Sequence, residues 1–395
     1  MSQIIARFYR FKKRHPYLVM SVLIYGLVPL VVGLALGYEM HDDSPVHIPT
    51  VVVNGDKSQF SRDFINYVDE TAYFDIAFQA DNDAQAQQLI QEGKALAGII
   101  IPEDFYKNLL GGKSPDILLL YDGSQLAVVS VAKMALSEIM LNMNGAYLQK
   151  IFAAKLGTMP SELMGQVLPV SVTYHNMFNP TKSFRYYLLP GMLLAILQVG
   201  IVMLGAERGY ENRRLYARDF GKHLQALALW SLLATLGMML CLGVQLVGFG
   251  LPYRGTVPGG VLLLAVYALT ITGMGYLVGS LVPERTFAVQ LAAILVLPTS
   301  VLGGYTYPLT AMPAAYQSLA KLLPYTYLGS DIRSLCLKPM ELAHIMPHIA
   351  FLAKYALVEI LLLLGVKMLL GRLHKNQQSA ELTEQAEKPA KEAVL

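Results

Sequence analysis

The sequence predicts an α-helical polytopic membrane protein with six transmembrane helices and an extracytoplasmic α/β domain inserted between helices 1 and 2. Three observations predict it. Of 395 residues, 54% are hydrophobic and only 15% are charged, with a mean hydropathy of +0.43; a soluble chain of this length carries more charge. Six apolar runs approach or exceed the about 20 residues needed to cross a hydrocarbon core of about 30 Å. The charge is also unevenly divided. Residues 39–184 hold 9 Lys/Arg against 17 Asp/Glu, whereas the rest of the chain holds 22 against 11. That asymmetry points to two compartments and not to a nucleic-acid partner.

Taken in order, residues 1–16 contain "IIARFYRFKKRH", basic and apolar in alternation, which reads as a cytoplasmic amphipathic segment at the membrane surface. The first span is 17–38 (Tyr17–Tyr38). A signal peptide is the competing reading, with Ala35 and Gly37 at a cleavage-like spacing, but the apolar run exceeds the usual h-region of about 7–15 residues. Five further runs can span: Tyr186–Gly205, Leu224–Phe249, Gly259–Leu281, Phe287–Gly304 and His348–Leu370. Inside lipid each must be helical, because only a helix satisfies its own backbone. Basic clusters precede the first run, separate the second from the third ("RGYENRRLYARDFGKH"), join the fourth to the fifth ("PER") and follow the sixth ("GRLHK"). All four fall on one side, so the positive-inside rule places both termini in the cytoplasm and residues 39–184 outside.

The inserted block 39–184 alternates short β-like runs, "TVVVNG", "FDIAFQ", "AGIII" and "DILLLYDG", with helical ones. That order argues a small α/β domain. Within "PEDFYKNLLGG", Pro102 is expected in the first helical turn and Gly111 at the stop; Asn82 with Gln85 resembles a capping box. A long helix from Leu126 to about Leu156 follows, with an apolar stripe through Val128, Ala132, Ala135, Ile139, Met143 and Ala146. The five-helix remainder is 185–371, and the polar, aromatic-free segment 372–395 is expected to be a disordered cytoplasmic tail.

Several chemistries find no support. "LLGGKSP" ends like a phosphate-binding loop, but Lys107 stands where that motif needs glycine, and a helix precedes the turn instead of following it. "HDDSPVH" could ligate a metal, and a solvated linker explains it as well. Cys241 and Cys336 form no framework. No catalytic constellation, metal site or cofactor of its own is therefore assigned to the chain. Glu359 lies near the middle of the sixth run, where a carboxylate is costly and is by default a functional candidate; an interhelical hydrogen bond that fixes packing is the alternative.

The stretches "NPTKSFRYYLLPGMLLAILQ" (Asn179–Gln198) and "YLVGSLVPERTFAVQLAAILVLPTSVLGGYTYPLTAMPAAYQSLAKLLPYTYL" (Tyr276–Leu328) resemble ABC-2 type exporter permeases, as does the order of one span, a large outside domain and five spans. The resemblance implies a permease in a bacterial inner membrane that pairs with a second copy or a related permease. It also implies a separate ABC ATPase subunit that binds the ATP and magnesium, with membrane lipids, and in some systems a periplasmic adaptor, as further partners. It implies that 303–327 forms short re-entrant helices at an outer exit, where Tyr305, Tyr307, Tyr325 and Tyr327 suit the interface. By the same resemblance spans two and five face a dimer axis, so the transport pathway candidates are Gln198, Gln290, Tyr305 and Tyr307, joined by Glu359. ATPase coupling falls to the segment between spans two and three, with Glu207, Arg208, Arg213, Arg214 and Arg218; its "YENRRLYARDF" departs from the family's usual glycine-threonine and acidic helix. Apolar walls with a few amides and tyrosines favour an amphipathic or lipid-like cargo. Two other classes stay open: a membrane-anchored envelope scaffold, and a proton-coupled transporter using Glu359.

Overall fold

The computed structural model of the chain describes residues 16–40, 45–156, 177–216 and 219–392. The expected amphipathic segment therefore lies, but for Pro16, outside the described residues, as do most of the "HDDSPVH" linker and Arg218. The chain divides into two units, Asp42–Asn176 and Met1–His41 with Met177–Leu395.

In the smaller unit, valine- and isoleucine-rich runs form β1 (Ile48–Asn54), β2 (Phe74–Gln79), β3 (Ala97–Ile101) and β4 (Leu118–Tyr121), in the order β2-β1-β3-β4. β1 runs parallel to both β2 and β3, and β4 returns antiparallel to β3. Each parallel pair needs a crossover; α3 (Gln59–Asp69) and α4 (Asp83–Gln91) supply them. The Asn82 side chain accepts the Gln85 amide at 2.9 Å, as the capping pattern predicts. The third helix differs from expectation. Here α5 spans Phe105–Leu110, because Asp104 sits at φ 55° and breaks the helical path, which leaves Pro102 outside. Asp56 Oδ1 then takes the Tyr106 amide at 3.0 Å. One face of the sheet buries Val52, Ile99 and Ile101 against Phe64, Val68 and the long α6 (Leu126–Leu156), through Ala132, Ala135, Leu136 and Ile139. The other buries Val51, Val53 and Ile100 against Ala86 of α4.

Among the described residues, the larger unit holds six helices long and apolar enough to cross a membrane: Val19–Glu39, Phe184–Arg213, Phe220–Gly248, Val257–Leu281, Arg285–Leu302 and Leu342–Met368. The first is built from α1 (Pro16–Val22), a π-helical turn Leu23–Leu27, and α2 (Val28–Glu39). Pro29 has no amide to give the Tyr25 carbonyl, so the ladder widens there. Gly237 of the third helix packs against that carbonyl, with its would-be Cβ 2.8 Å away.

The second helix, α7 (Phe184–Tyr216), starts on a local cap: Asn179 Oδ1 accepts the Ser183 amide at 3.1 Å, and Ser183 Oγ accepts that of Tyr186 at 3.1 Å. α8 (Phe220–Gly248) follows after Asp219 caps it, and then α9 (Val257–Leu281). The fifth span is α10 (Arg285–Val296) with α11 (Thr299–Leu302), divided at Pro298. A 3-10 turn (Leu309–Ala311), α12 (Ala314–Ala320) and α13 (Pro324–Leu337) then lead to α14 (Leu342–Glu392). α14 thus runs on through the tail for which disorder is expected. Its Ala, Glu, Gln and Lys content carries enough helix propensity to extend a helix already nucleated in the membrane.

The core of this unit is the crossing of α7 and α9. Gly205 and Gly209 of α7 meet Gly275 and Gly279 of α9 with backbone against backbone. A Cβ on Gly279 would lie 2.0 Å from the Ala206 carbonyl oxygen, and one on Gly275 would lie 2.4 Å from that of Val202. Two small-xxx-small motifs, "GAERG" and "GYLVG", let the helices approach this closely.

Candidate functional site

The broken segment after the fifth span is keyed into α7. Pro190 interrupts the α7 ladder, and the Tyr305 hydroxyl fills the gap. It accepts the Gly191 amide at 2.8 Å and lies 2.8 Å from the Leu188 carbonyl, to which it can donate. Gly191 has to be glycine here, since a Cβ would lie 2.3 Å from the Tyr305 ring. Tyr325 donates to the Gly191 carbonyl at 2.7 Å. Arg333 of α13 lies between two rings, 3.9 Å from the Tyr187 centroid and 4.0 Å from that of Tyr305. Its Nε donates to the Tyr187 carbonyl at 2.9 Å and another nitrogen to the Tyr305 carbonyl at 2.6 Å. Burial pushes the Tyr305 hydroxyl up to about 12, so it stays protonated as a donor at physiological pH.

The sequence expectation of four interfacial tyrosines is therefore corrected. Tyr305 and Tyr325 are 3% and 1% exposed, because the polar groups they serve are the freed backbone of α7. Tyr307 is exposed, and Tyr327 is half-buried.

The two amides expected on the pathway separate. Gln198 is buried on α7; its Nε2 donates to Thr299 at 3.2 Å and its oxygen accepts the hydroxyl of Tyr267, so it ties three helices together. Gln290 is exposed on α10 and does not join it, since α10 packs inward through Ala288, Ala292 and Val296. Glu359 is 4% exposed and packs against Gly273 of α9, whose would-be Cβ lies 2.6 Å from Oε2. Neither carboxylate oxygen has a hydrogen-bond partner among the described residues, so the interhelical hydrogen bond offered as its alternative role is absent there.

In the segment expected to couple to an ATPase, α7 continues as helix to Tyr216. Glu207 pairs with Arg285 at the start of the fifth span, and Arg208 pairs with Glu211 at 3.0 Å while lying 5.0 Å above the Trp230 ring. Arg213 is half-buried; the Arg214 side chain and Arg218 lie outside the described residues.

Other contacts escaped the sequence reading. Asp331 of α13 places both carboxylate oxygens 2.8 and 2.9 Å from Nδ1 of His348 on α14. Burial raises the Asp331 carboxyl above its ordinary range, against the opposing pull of the His348 hydrogen bond. A pairing across seventeen residues of broken helix leaves no periodic signal. Of the glycine seam, "GYLVG" stands inside an apolar run, whereas "GAERG" carries Glu207 and Arg208 and lies past the end of the second run.

Comparison with known proteins agrees with this architecture. The family model described as ABC-2 family transporter protein matches residues 17–365. The chain is similar to the probable multidrug ABC transporter permease YbhS of Escherichia coli K12, at 24% identity over 80% of this chain and 84% of the relative. It is similar to the probable multidrug ABC transporter permease YbhR of the same organism, at 22% identity over 64% and 68%. A third relative, ABC transporter G family member 20 of Dictyostelium discoideum, is 22% identical over 87% of this chain and 48% of its own. No solved structure matches. With the match covering nearly the whole chain and six apolar helices in place, the chain belongs to the ABC-2 family of transporter proteins, as a multi-pass membrane permease.

Proposed function

We propose that the chain is the membrane subunit of an ATP-driven exporter, which moves an amphipathic or lipid-like substrate out of the cytoplasm or inner membrane. ATP and magnesium bind a separate ABC ATPase, and the permease works as a pair with a second copy or a related chain. In this reading both termini are cytoplasmic, the α/β unit is extracytoplasmic, and 303–327 borders the exit. The supporting observation is that one helix carries both ends of the process. At one end α7 is keyed by Tyr305 and Arg333 to the segment after the fifth span. At the other it extends to Tyr216 and pairs through Glu207 with Arg285. A displacement at 206–216 therefore travels along α7 as far as Gly191, just short of the break at Pro190, and passes to the exit segment through Tyr305 and through the fifth span together.

The test uses the full-length permease co-expressed with the ATPase encoded in a neighbouring reading frame. Co-purification, ATP hydrolysis stimulated by amphipathic compounds, and weaker stimulation in Arg285→Ala at unchanged assembly are expected. Absence of a co-purifying ATPase together with absence of ATP-dependent uptake into inverted vesicles would sink the proposal. An adaptor, if one serves the system, should be captured by the α/β unit in the same preparation.

A further inference from the structure

One face of α14 and the adjoining face of α13 combine aromatic rings with carboxylates. His348, Phe351, Tyr355 and Glu359 are spaced three, four and four residues apart, which puts them within about 80° of the helix circumference. Tyr327 of α13 joins the stripe: its ring centroid lies 5.1 Å from that of His348 and 4.4 Å from that of Phe351, which is in turn 6.4 Å from Tyr355. These four rings are half-buried, so each keeps part of its surface accessible. A carboxylate stands at each end, about 16 Å apart along the axis, and the two differ in one decisive respect. Asp331 is already matched by His348 at 2.8 Å. Glu359 is 4% exposed, with neither oxygen hydrogen-bonded or ion-paired among the described residues. Lys354, five residues away, is exposed and about 140° around the helix, so it does not serve. The α9 residue beneath Glu359 is Gly273, which brings no side chain to it.

A row of aromatic faces ending in an uncompensated carboxylate is the chemistry that recognises an organic cation. The ring quadrupoles attract positive charge, the apolar ring surface takes the rest of the molecule, and the carboxylate supplies the counter-charge. A carboxylate buried at membrane depth is costly until such a charge arrives. We propose that the aromatic stripe of Tyr327, Phe351 and Tyr355, with Glu359 moving out from Gly273 to meet the charge, binds lipophilic organic cations. This deepens the transport reading by naming a substrate class and rests on it for what the cation does there. The binding itself does not require an ATPase.

The test is equilibrium binding of tetraphenylphosphonium to the full-length permease in nanodiscs without ATPase. Saturable binding is expected, weakened roughly tenfold or more by Glu359→Gln and roughly two- to fivefold by Phe351→Leu or Tyr355→Leu. Tetraphenylborate, of the same shape and opposite charge, should show no saturable binding. Equal affinity of wild type and Glu359→Gln for tetraphenylphosphonium, or equal binding of both ions, overturns the proposal. If Glu359→Gln fails to fold, the aromatic variants decide, and unchanged affinity in both overturns it. Failure here leaves ATP-driven export of other amphiphiles standing; cation binding without any ATP-dependent export removes that reading and keeps the site.

Discussion

Replacing Tyr305 by Phe removes a single oxygen from beside Pro190 in α7, and the cost follows from what that oxygen serves. It receives the Gly191 amide at 2.8 Å and lies at donating distance, also 2.8 Å, from the Leu188 carbonyl, at a side chain only 3% exposed. The Tyr187 carbonyl, 3.2 Å from the same hydroxyl, keeps the Arg333 Nε as a donor and is not orphaned. The Gly191 amide is thus left buried without the hydroxyl, at about 1–3 kcal/mol, while the Leu188 carbonyl stays within reach of the Met192 amide of its own helix. The variant should lose roughly 1–3 kcal/mol, a fall in melting temperature of roughly 3–8 °C for a unit of this size. Tyr307→Phe is the control, since that hydroxyl is exposed and reaches only the Ala311 carbonyl at 3.4 Å; it should shift melting by less than about 0.5 kcal/mol. The assay is thermal unfolding of the purified permease in detergent, followed by loss of monodispersity. Equal melting of Tyr305→Phe and Tyr307→Phe would refute the assignment of the hydroxyl to the α7 ladder.

Two more outcomes follow from the packing. Gly279→Val should prevent correct assembly of the helical unit, because the added Cβ would meet the Ala206 carbonyl oxygen at 2.0 Å and the Tyr210 amide at 2.7 Å, whereas Gly243→Val, with open space around it, should be tolerated; yield of monodisperse protein separates them. Cys336, 1% exposed and with burial raising its thiol to about 12, should resist maleimide in the native permease at pH 8 and react after unfolding; labelling of the native protein at the rate of an exposed thiol would contradict that burial.

The elements that depend on local pattern were legible in the sequence. Six apolar runs became six helices, and β-branched runs bounded by Gly, Asn and Asp became the four strands, because hydropathy and turn chemistry act over a few residues. The Asn82 cap was readable for the same reason. What depends on a partner far along the chain was not. Nothing near Tyr305 says that its hydroxyl belongs to Gly191, 114 residues earlier, and nothing near Gln198 names Tyr267 and Thr299. An amphipathic tyrosine in a Gly-Pro segment reads equally well as an interface residue or as a plug for a broken helix, and only the freed carbonyls of α7 decide between them. Asp104 misled in a different way: its left-handed backbone moved the helix start past a proline whose position otherwise signals a first turn.

The length of α7 has a mechanical consequence. Its 33 residues span about 50 Å at 1.5 Å per residue, against a hydrocarbon core of about 30 Å. The glycine seam at 205 and 209 lies toward one end and presses backbone on backbone, so it makes a stiff fulcrum. A tilt of about 10° about that point would carry the far end of α7, roughly 30 Å away, through about 5 Å, while the short arm beyond Gly209 would move only about 1–2 Å. Small strokes on the short arm are thus enlarged about twofold at Gly191 and the tyrosine seated against it, with no other hinge required.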